Sequence, residues 1–179
     1  MKILVLIAHP RFKESKANRA LAQELEKYED IDILDLYEEY PDWQIDVQQE
    51  QRRLLAYDRV VFQFPFYWYS CPPLLKLWFD EVLTFGWAFG PGGVHLQGKE
   101  FLIATTAGGT VNAYRSGGDN RYTVSELLRP IEQTITKCNG TYLPAYVLYD
   151  ANRGTDEIFA AEAEKYVDHI RSALPVLAH

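Results

Sequence analysis

No part of this chain limits its fold more than the stretch from Val60 to Asp80, which runs Val-Val-Phe-Gln-Phe-Pro-Phe-Tyr-Trp-Tyr-Ser-Cys-Pro-Pro-Leu-Leu-Lys-Leu-Trp-Phe-Asp. The apolar residues Val60, Val61, Phe62 and Phe64, stopped at Pro65, predict a buried strand. Pro72 and Pro73 suit a helix entrance, because proline fixes φ and lacks an N–H that the first turn leaves unpaired anyway. Between them stand Phe66, Tyr67, Trp68 and Tyr69, at the carboxyl end of what reads as a central strand. In an open parallel sheet that is the end where ligands sit. Four aromatic rings on an exposed loop cost solvation unless something flat or apolar covers them. The loop is therefore expected to form one wall of a pocket for a planar cofactor.

The rest of the chain supplies a sheet around that strand. Lys2 to Ala8 is a continuous apolar run, the pattern of a strand covered on both faces. Ser15 is placed to cap a helix through about Tyr28, and Ile31 to Tyr37 returns as a strand. A loop with Tyr40-Pro41-Asp42-Trp43 leads to a helix over Val47 to Tyr57; the helix after the central strand runs to about Leu83. Phe85 to Gly93 is a glycine-rich aromatic loop, Glu100 to Thr106 a fourth strand, and Thr110 to Tyr122 irregular. A helix from about Thr123 to Cys138 holds Pro130, so a kink or a late start is expected. Leu143 to Tyr149 reads as the fifth strand and Thr155 to Leu174 as the last helix. Strands and helices alternating in this way predict one α/β domain with a doubly wound parallel sheet, without choosing between the two common strand orders.

Composition removes several classes of function. The net charge of −7 and the lack of a Lys/Arg cluster argue against nucleic acid. Cys71 and Cys138 make neither a metal pair nor a disulfide framework, which fits a reduced, cytoplasmic setting. No segment has the length of a membrane span, and no signal peptide is expected ahead of the first strand. His95, His169 and His179 lack metal-ligand spacing and read as surface or loop residues, so no metal is expected. Asn139-Gly140-Thr141 matches a glycosylation acceptor, but an Asn-Gly turn ending a helix explains it better.

Neither G-x-G-x-x-G nor a phosphate-loop motif occurs, so a nucleotide cofactor must be gripped another way. After the first strand come His9, then Ser15, Lys16, Ala17 and Asn18 at a helix start. Backbone N–H groups there, with a hydroxyl and an amide, can form an anion site. Ser15 explains itself equally well as a plain cap, and a lone histidine at a strand end is more often structural. Thr106, Ala107, Gly108 and Gly109 end the fourth strand, where glycine lets backbone amides approach a ring; a simple turn is the competing reading. Tyr114 can hold a phenol over the same mouth. Loops after strands one, three and four converge on one crevice in this architecture.

The motif Gln63-x-Pro65-x-x-Trp68-Tyr69-Ser70-x-Pro72-Pro73-Leu74-Leu75-Lys76-x-Trp78-x-Asp80, followed by Gly86-Trp87-Ala88-Phe89-Gly90-x-Gly92-Gly93, resembles the flavodoxin-like NAD(P)H:quinone oxidoreductase family. Tyr40-Pro41-Asp42-x-x-Ile45-Asp46, Asn120-Arg121-Tyr122 and Leu128-Arg129-Pro130 look most like its ancillary flavoproteins of glutathione-regulated potassium efflux. The resemblance implies strand order 2-1-3-4-5, a homodimer, and a noncovalent flavin, for which the short chain favours FMN over FAD. It implies NAD(P)H as co-substrate and a quinone or similar electrophile as acceptor. A membrane potassium-efflux protein as partner follows from the subgroup, with the chain cytoplasmic or peripheral at the inner membrane face. The flavin phosphate is expected on His9 and Ser15 to Asn18, and the ring between Pro65 to Tyr69 and Thr106 to Gly109. Backbone amides near Trp68 and Gly108 are expected to face charge on the ring. Tyr114 matches the family's catalytic tyrosine; its catalytic histidine is missing, with Asn120 or Arg121 in that neighbourhood. Trp87 and Phe89 are expected to reach the partner subunit's pocket.

Overall fold

A computed structural model describes residues 1–176. His179, expected at the surface, lies outside the described residues. The elements in chain order are β1 (Ile3–Ile7), α1 (Lys16–Leu25), β2 (Ile31–Asp35), α2 (Leu36–Glu39), α3 (Val47–Leu55), β3 (Arg59–Pro65), α4 (Pro73–Val82) and β4 (Glu100–Thr106). There follow α5 (Val124–Leu127), α6 (Arg129–Lys137), β5 (Thr141–Tyr142), β6 (Tyr146–Leu148) and α7 (Asp156–Arg171). All strand pairs are parallel, in the order β2-β1-β3-β4-β5, with β6 also on β4. This is the flavodoxin-like arrangement that the resemblance implied.

Alternation explains the uninterrupted apolar strands. Ile3, Val5 and Ile7 point into a core shared with Leu21 and Leu25 of α1 and with Phe159, Tyr166 and Ile170 of α7. Leu4 and Leu6 point the other way, to Leu54 of α3, Trp78 and Phe79 of α4, and Ile131 and Ile135 of α6. Because successive strand side chains face opposite sides, a strand covered on both must be apolar throughout. Within the second core Glu50 is fully buried. Its carboxylate accepts hydrogen bonds from the Tyr40 hydroxyl and the Trp78 indole N–H, each at 2.8 Å, and pairs with Arg53. The Tyr40-Pro41-Asp42 loop is pinned to α3 and α4 through that group.

Several expectations change; α1 and α3, for example, end at Leu25 and Leu55, short of Tyr28 and Tyr57. The fifth strand, expected over Leu143–Tyr149, starts earlier and is split: β5 pairs with Glu100 and Phe101, β6 with Ala104 to Thr106. Pro144 stands in the gap, where a residue without an N–H cannot continue the ladder. The helix expected from Thr123 to Cys138 divides at Leu128. Pro130 falls in the first turn of α6, while Thr123 and Glu126 form a capping box on α5. β2 stops at Asp35, not Tyr37, because the Asp35 carboxylate accepts from Tyr37 N–H (2.9 Å) and starts the single turn of α2. The last helix ends at Arg171, not Leu174: the buried Arg59 guanidinium donates to the carbonyls of Ile170 and Ser172 and closes it. His169 lies within that helix, half-buried, with Nε2 2.8 Å from the Pro144 carbonyl. As expected of an Asn-Gly turn, Asn139 follows α6 in the left-handed region, with φ 62°.

Candidate functional site

At the carboxyl edge of the sheet, an open cleft of about 350 Å3 is lined from four loops. After β1 come His9, Arg11, Glu14 and Ser15, with Ala17 and Asn18 of α1. Pro65, Phe66 and Tyr67 follow from the end of β3, Thr106 and Gly108 from the end of β4, and Ala151 and Asn152 after β6. The three loops expected to converge lie around one cavity.

The β1 side is built on α1. The Ser15 hydroxyl caps the helix by accepting from the Asn18 N–H at 3.2 Å. The N–H groups of Lys16 and Ala17 are first-turn donors without an intrahelical partner, at the positive end of the helix. Asn18 is 1 % exposed and joins two walls: its amide donates to Thr106 Oγ1 at 2.9 Å and to Ser15 Oγ at 3.2 Å. Beneath it the Gln63 amide donates to the Asn18 carbonyl (3.0 Å), and Gln63 Oε1 accepts from the Tyr166 hydroxyl (3.2 Å). The cleft floor is thus a satisfied polar network in an otherwise apolar sheet, the condition under which buried polar groups stiffen a site. His9 Nδ1 accepts from the Arg11 N–H at 3.0 Å, leaving Nε2 to carry the proton of a neutral ring. Burial pushes the His9 pKa down, helped by the Arg11 charge and opposed by a backbone hydrogen bond and by Glu14.

The aromatic wall is narrower than expected. Phe66 and Tyr67 line the cleft, whereas Trp68 and Tyr69 form the tip of a tight hairpin. Both tip residues have left-handed φ (44° and 63°), and Tyr67 and Ser70 exchange backbone hydrogen bonds across them. Such a two-residue turn reverses the chain and leaves Trp68 92 % exposed, so its amide is not part of the lining. Lys16 also turns away, its Nζ 3.3 Å from Asp156. Ala107 is fully buried, its N–H donating to the Leu148 carbonyl (2.8 Å). Gly109 lies beside the ring of Tyr114: a Cβ there would stand 3.0 Å from Tyr114 Cε2.

Tyr114 is not among the residues lining the cleft; it packs edge-on against Phe66, which is, with centroids 5.7 Å apart, and is tilted against Tyr149 at 5.9 Å. Burial raises its pKa, and the neighbouring Tyr69 and Tyr149 raise it further, so the phenol remains a proton donor at neutral pH. The Tyr69 hydroxyl donates to Asn120 Oδ1 at 3.2 Å, tying the hairpin to the loop after β4. Trp87 stacks on His95 (5.2 Å, 9°) and Phe89 packs on Phe85. Cys71 and Cys138 line a separate, more apolar groove of about 580 Å3 between α4 and α6. Burial raises the pKa of both thiols.

Arg11, Glu14, Ala151 and Asn152 escaped the sequence reading. A signal for the last two was present, since Asn152-Arg153-Gly154 is a polar turn at the same end of the sheet as the other loops. Gln63, a polar residue inside an apolar strand, is the sequence signal for the hydrogen-bond network beneath the cleft. Chemically, the cleft offers an anion seat at the start of α1, an aromatic wall, and an opposite wall where Gly108 has no side chain.

Two curated relatives span nearly the whole chain. An uncharacterized NAD(P)H oxidoreductase, YdeQ of Bacillus subtilis (strain 168), is 48% identical over 170 residues, covering 95% of this chain and 86% of that protein. The glutathione-regulated potassium-efflux system ancillary protein KefG of Yersinia enterocolitica is 42% identical over 178 residues, covering 99% and 97%. Among solved structures, a chain described as a thermophilic tryptophan halogenase from Streptomycin violaceusniger superposes with a TM-score of 0.92 at 48% identity, covering 95% of this chain and 99% of that one. General stress protein 14 of Treponema denticola, in complex with FMN, gives 0.91 at 35% identity, covering 95% and 98%. An NADPH-quinone reductase from P. pentosaceus gives 0.88 at 31%, covering 97% and 99%. The family model for the flavodoxin-like fold matches residues 1–170, so with its parallel sheet and strand order the chain belongs to the flavodoxin-like fold family.

Proposed function

We propose that this chain is a flavin-dependent NAD(P)H oxidoreductase, with a quinone or similar electrophile as acceptor. The observation that carries the reading is the cleft itself, where loops after β1, β3 and β4 surround one cavity with an anion seat at one side and rings at another. The FMN complex of the Treponema denticola relative and the names of the oxidoreductase and quinone-reductase relatives point the same way. The donor set fits a flavin phosphate: two free helix N–H groups, the Ser15 hydroxyl and a neutral His9 suit an anion. FMN is favoured over FAD by that complex.

When bound, a flavin would supply two-electron redox chemistry between NAD(P)H and the acceptor, in a ping-pong sequence. The chain supplies the rest. Lys16 N, Ala17 N, Ser15 Oγ and His9 Nε2 would hold the phosphate. Asn18 fixes the distance between that seat and the β4 wall through its bond to Thr106. Pro65, Phe66 and Tyr67 would support the ring, and Gly108, without a side chain, would leave room for it. Tyr114 holds its proton on Oη and donates it as a hydrogen bond to the reacting partner. Trp68 and Tyr69 extend past the cleft as a lip for the substrate.

Purified protein should be yellow and release FMN. Under anaerobic conditions NADPH should bleach the flavin in a stopped-flow experiment, and a quinone should restore its absorbance. Tyr114→Phe should slow turnover about tenfold to a hundredfold with flavin binding unchanged. Absence of bleaching would remove the enzyme reading. The KefG relative, matched along almost its full length, supports a second role as an ancillary subunit docked on a potassium-efflux protein. Pull-down of such a partner by Tyr114→Phe protein as efficiently as by wild type, despite its slowed turnover, would separate that role from turnover.

A further inference from the structure

We infer that the loop from Tyr149 to Gly154 is a fourth wall of the cleft, and that Asn152 hydrogen-bonds the hydroxylated, phosphate-bearing tail of the bound flavin, not its ring; this rests on the flavin reading above. The loop is fixed by main-chain bonds to the loop after β4. Ala107 N–H donates to the Leu148 carbonyl at 2.8 Å, Asp150 N–H to Gly109 at 3.1 Å, and Ala151 N–H to Ala107 at 3.0 Å. Asp150 takes a left-handed φ of 53°, which turns the chain so that Ala151 and Asn152 enter the lining.

The Asn152 amide lies against Gly108: a Cβ there would stand 2.7 Å from Asn152 Nδ2, so a side chain at 108 would push the amide aside.

The side of the sheet decides which part of the ligand the amide meets. Ala151 packs on the core shared by α1 and α7, and the Lys16–Asp156 pair joins the starts of those two helices. The anion seat belongs to α1, on that same side. Phe66, which lines the cleft, and Tyr114 and Tyr149, which pack behind it in turn, lie against the opposite core. An amide that both donates and accepts complements a hydroxyl, which does the same. Asn152 is exposed, so truncating it removes little from the folded core.

The test is titration of flavin-free protein with FMN, followed by fluorescence quenching. Wild-type protein that failed to bind FMN would retire the flavin reading itself, a separate outcome from any difference among variants. Asn152→Ala should bind FMN roughly tenfold more weakly, the loss of one hydrogen bond, with the visible bands of the saturated complex unmoved. Asn152→Asp, isosteric but without the donors and negative beside an anionic tail, should bind more weakly still. Unchanged affinity in Asn152→Ala, wild-type affinity in Asn152→Asp, or weaker binding with displaced ring bands would each overturn the inference.

Discussion

His9 shows how one residue's surroundings set its chemistry. Its ring sits at the carboxyl end of β1, takes the Arg11 N–H at Nδ1, and has its pKa pushed below the ordinary 6.5, chiefly by burial. A histidine at a strand end was visible in the sequence; that it would be buried and neutral was not, because burial comes from residues far along the chain. The direction of the shift has a consequence for stability. Between the lowered folded value and the unfolded 6.5, the unfolded chain binds more protons, so stability falls as pH drops through that window and is fully present above it. His9→Asn keeps an acceptor for Arg11 N–H but cannot titrate. Urea unfolding at about pH 7.5 and about pH 5 should show wild type losing more stability than the variant, since the carboxylates are common to both. Equal losses would mean that His9 does not titrate differently in the folded protein.

At the scale of elements, the strands and the proline-led helices were legible because their causes are local. Alternating cores demand apolar runs, and Pro73 begins α4 where the first turn has no use for an N–H. The exceptions were set by long-range partners. Pro130 was visible, but whether the helix kinked or divided depended on the capping box at Thr123 and on where Ile131 could reach the core. The end of α7 depends on Arg59, more than a hundred residues earlier in the chain. Arg59 is 2 % exposed, pairs with Glu100 at 2.6 Å and holds the last carbonyls of the helix. Arg59→Met keeps the apolar stem but leaves those carbonyls and the carboxylate without their donor. It should cost about 3 kcal/mol, read as a lower denaturant midpoint. Hydrogen exchange should rise first at the C-terminal turn of α7; uniform exchange would show that Arg59 is not its clamp.

For the whole molecule, the largest apolar surface outside the cleft surrounds Phe85, which is 71 % exposed and lines, with Ser70, Cys71 and Phe89, the groove between α4 and α6. We propose that this surface meets a second copy of the chain in a homodimer, with Phe85 more prominent than the Trp87 and Phe89 singled out from the sequence. Sedimentation velocity should give a dimer for wild type and a monomer for Phe85→Ser, with flavin binding retained; a wild-type monomer would end the proposal. The sequence by itself determined the parallel α/β sheet and the end of it that carries the loops, because apolar periodicity and proline placement act over neighbouring residues. The tertiary structure decided which loop residues face the cleft. It turned Trp68 outward on a left-handed hairpin, drew Lys16 to Asp156, and brought Asn152 against Gly108. Those outcomes depend on hydrogen bonds and close contacts between segments distant in the chain, which no local pattern encodes.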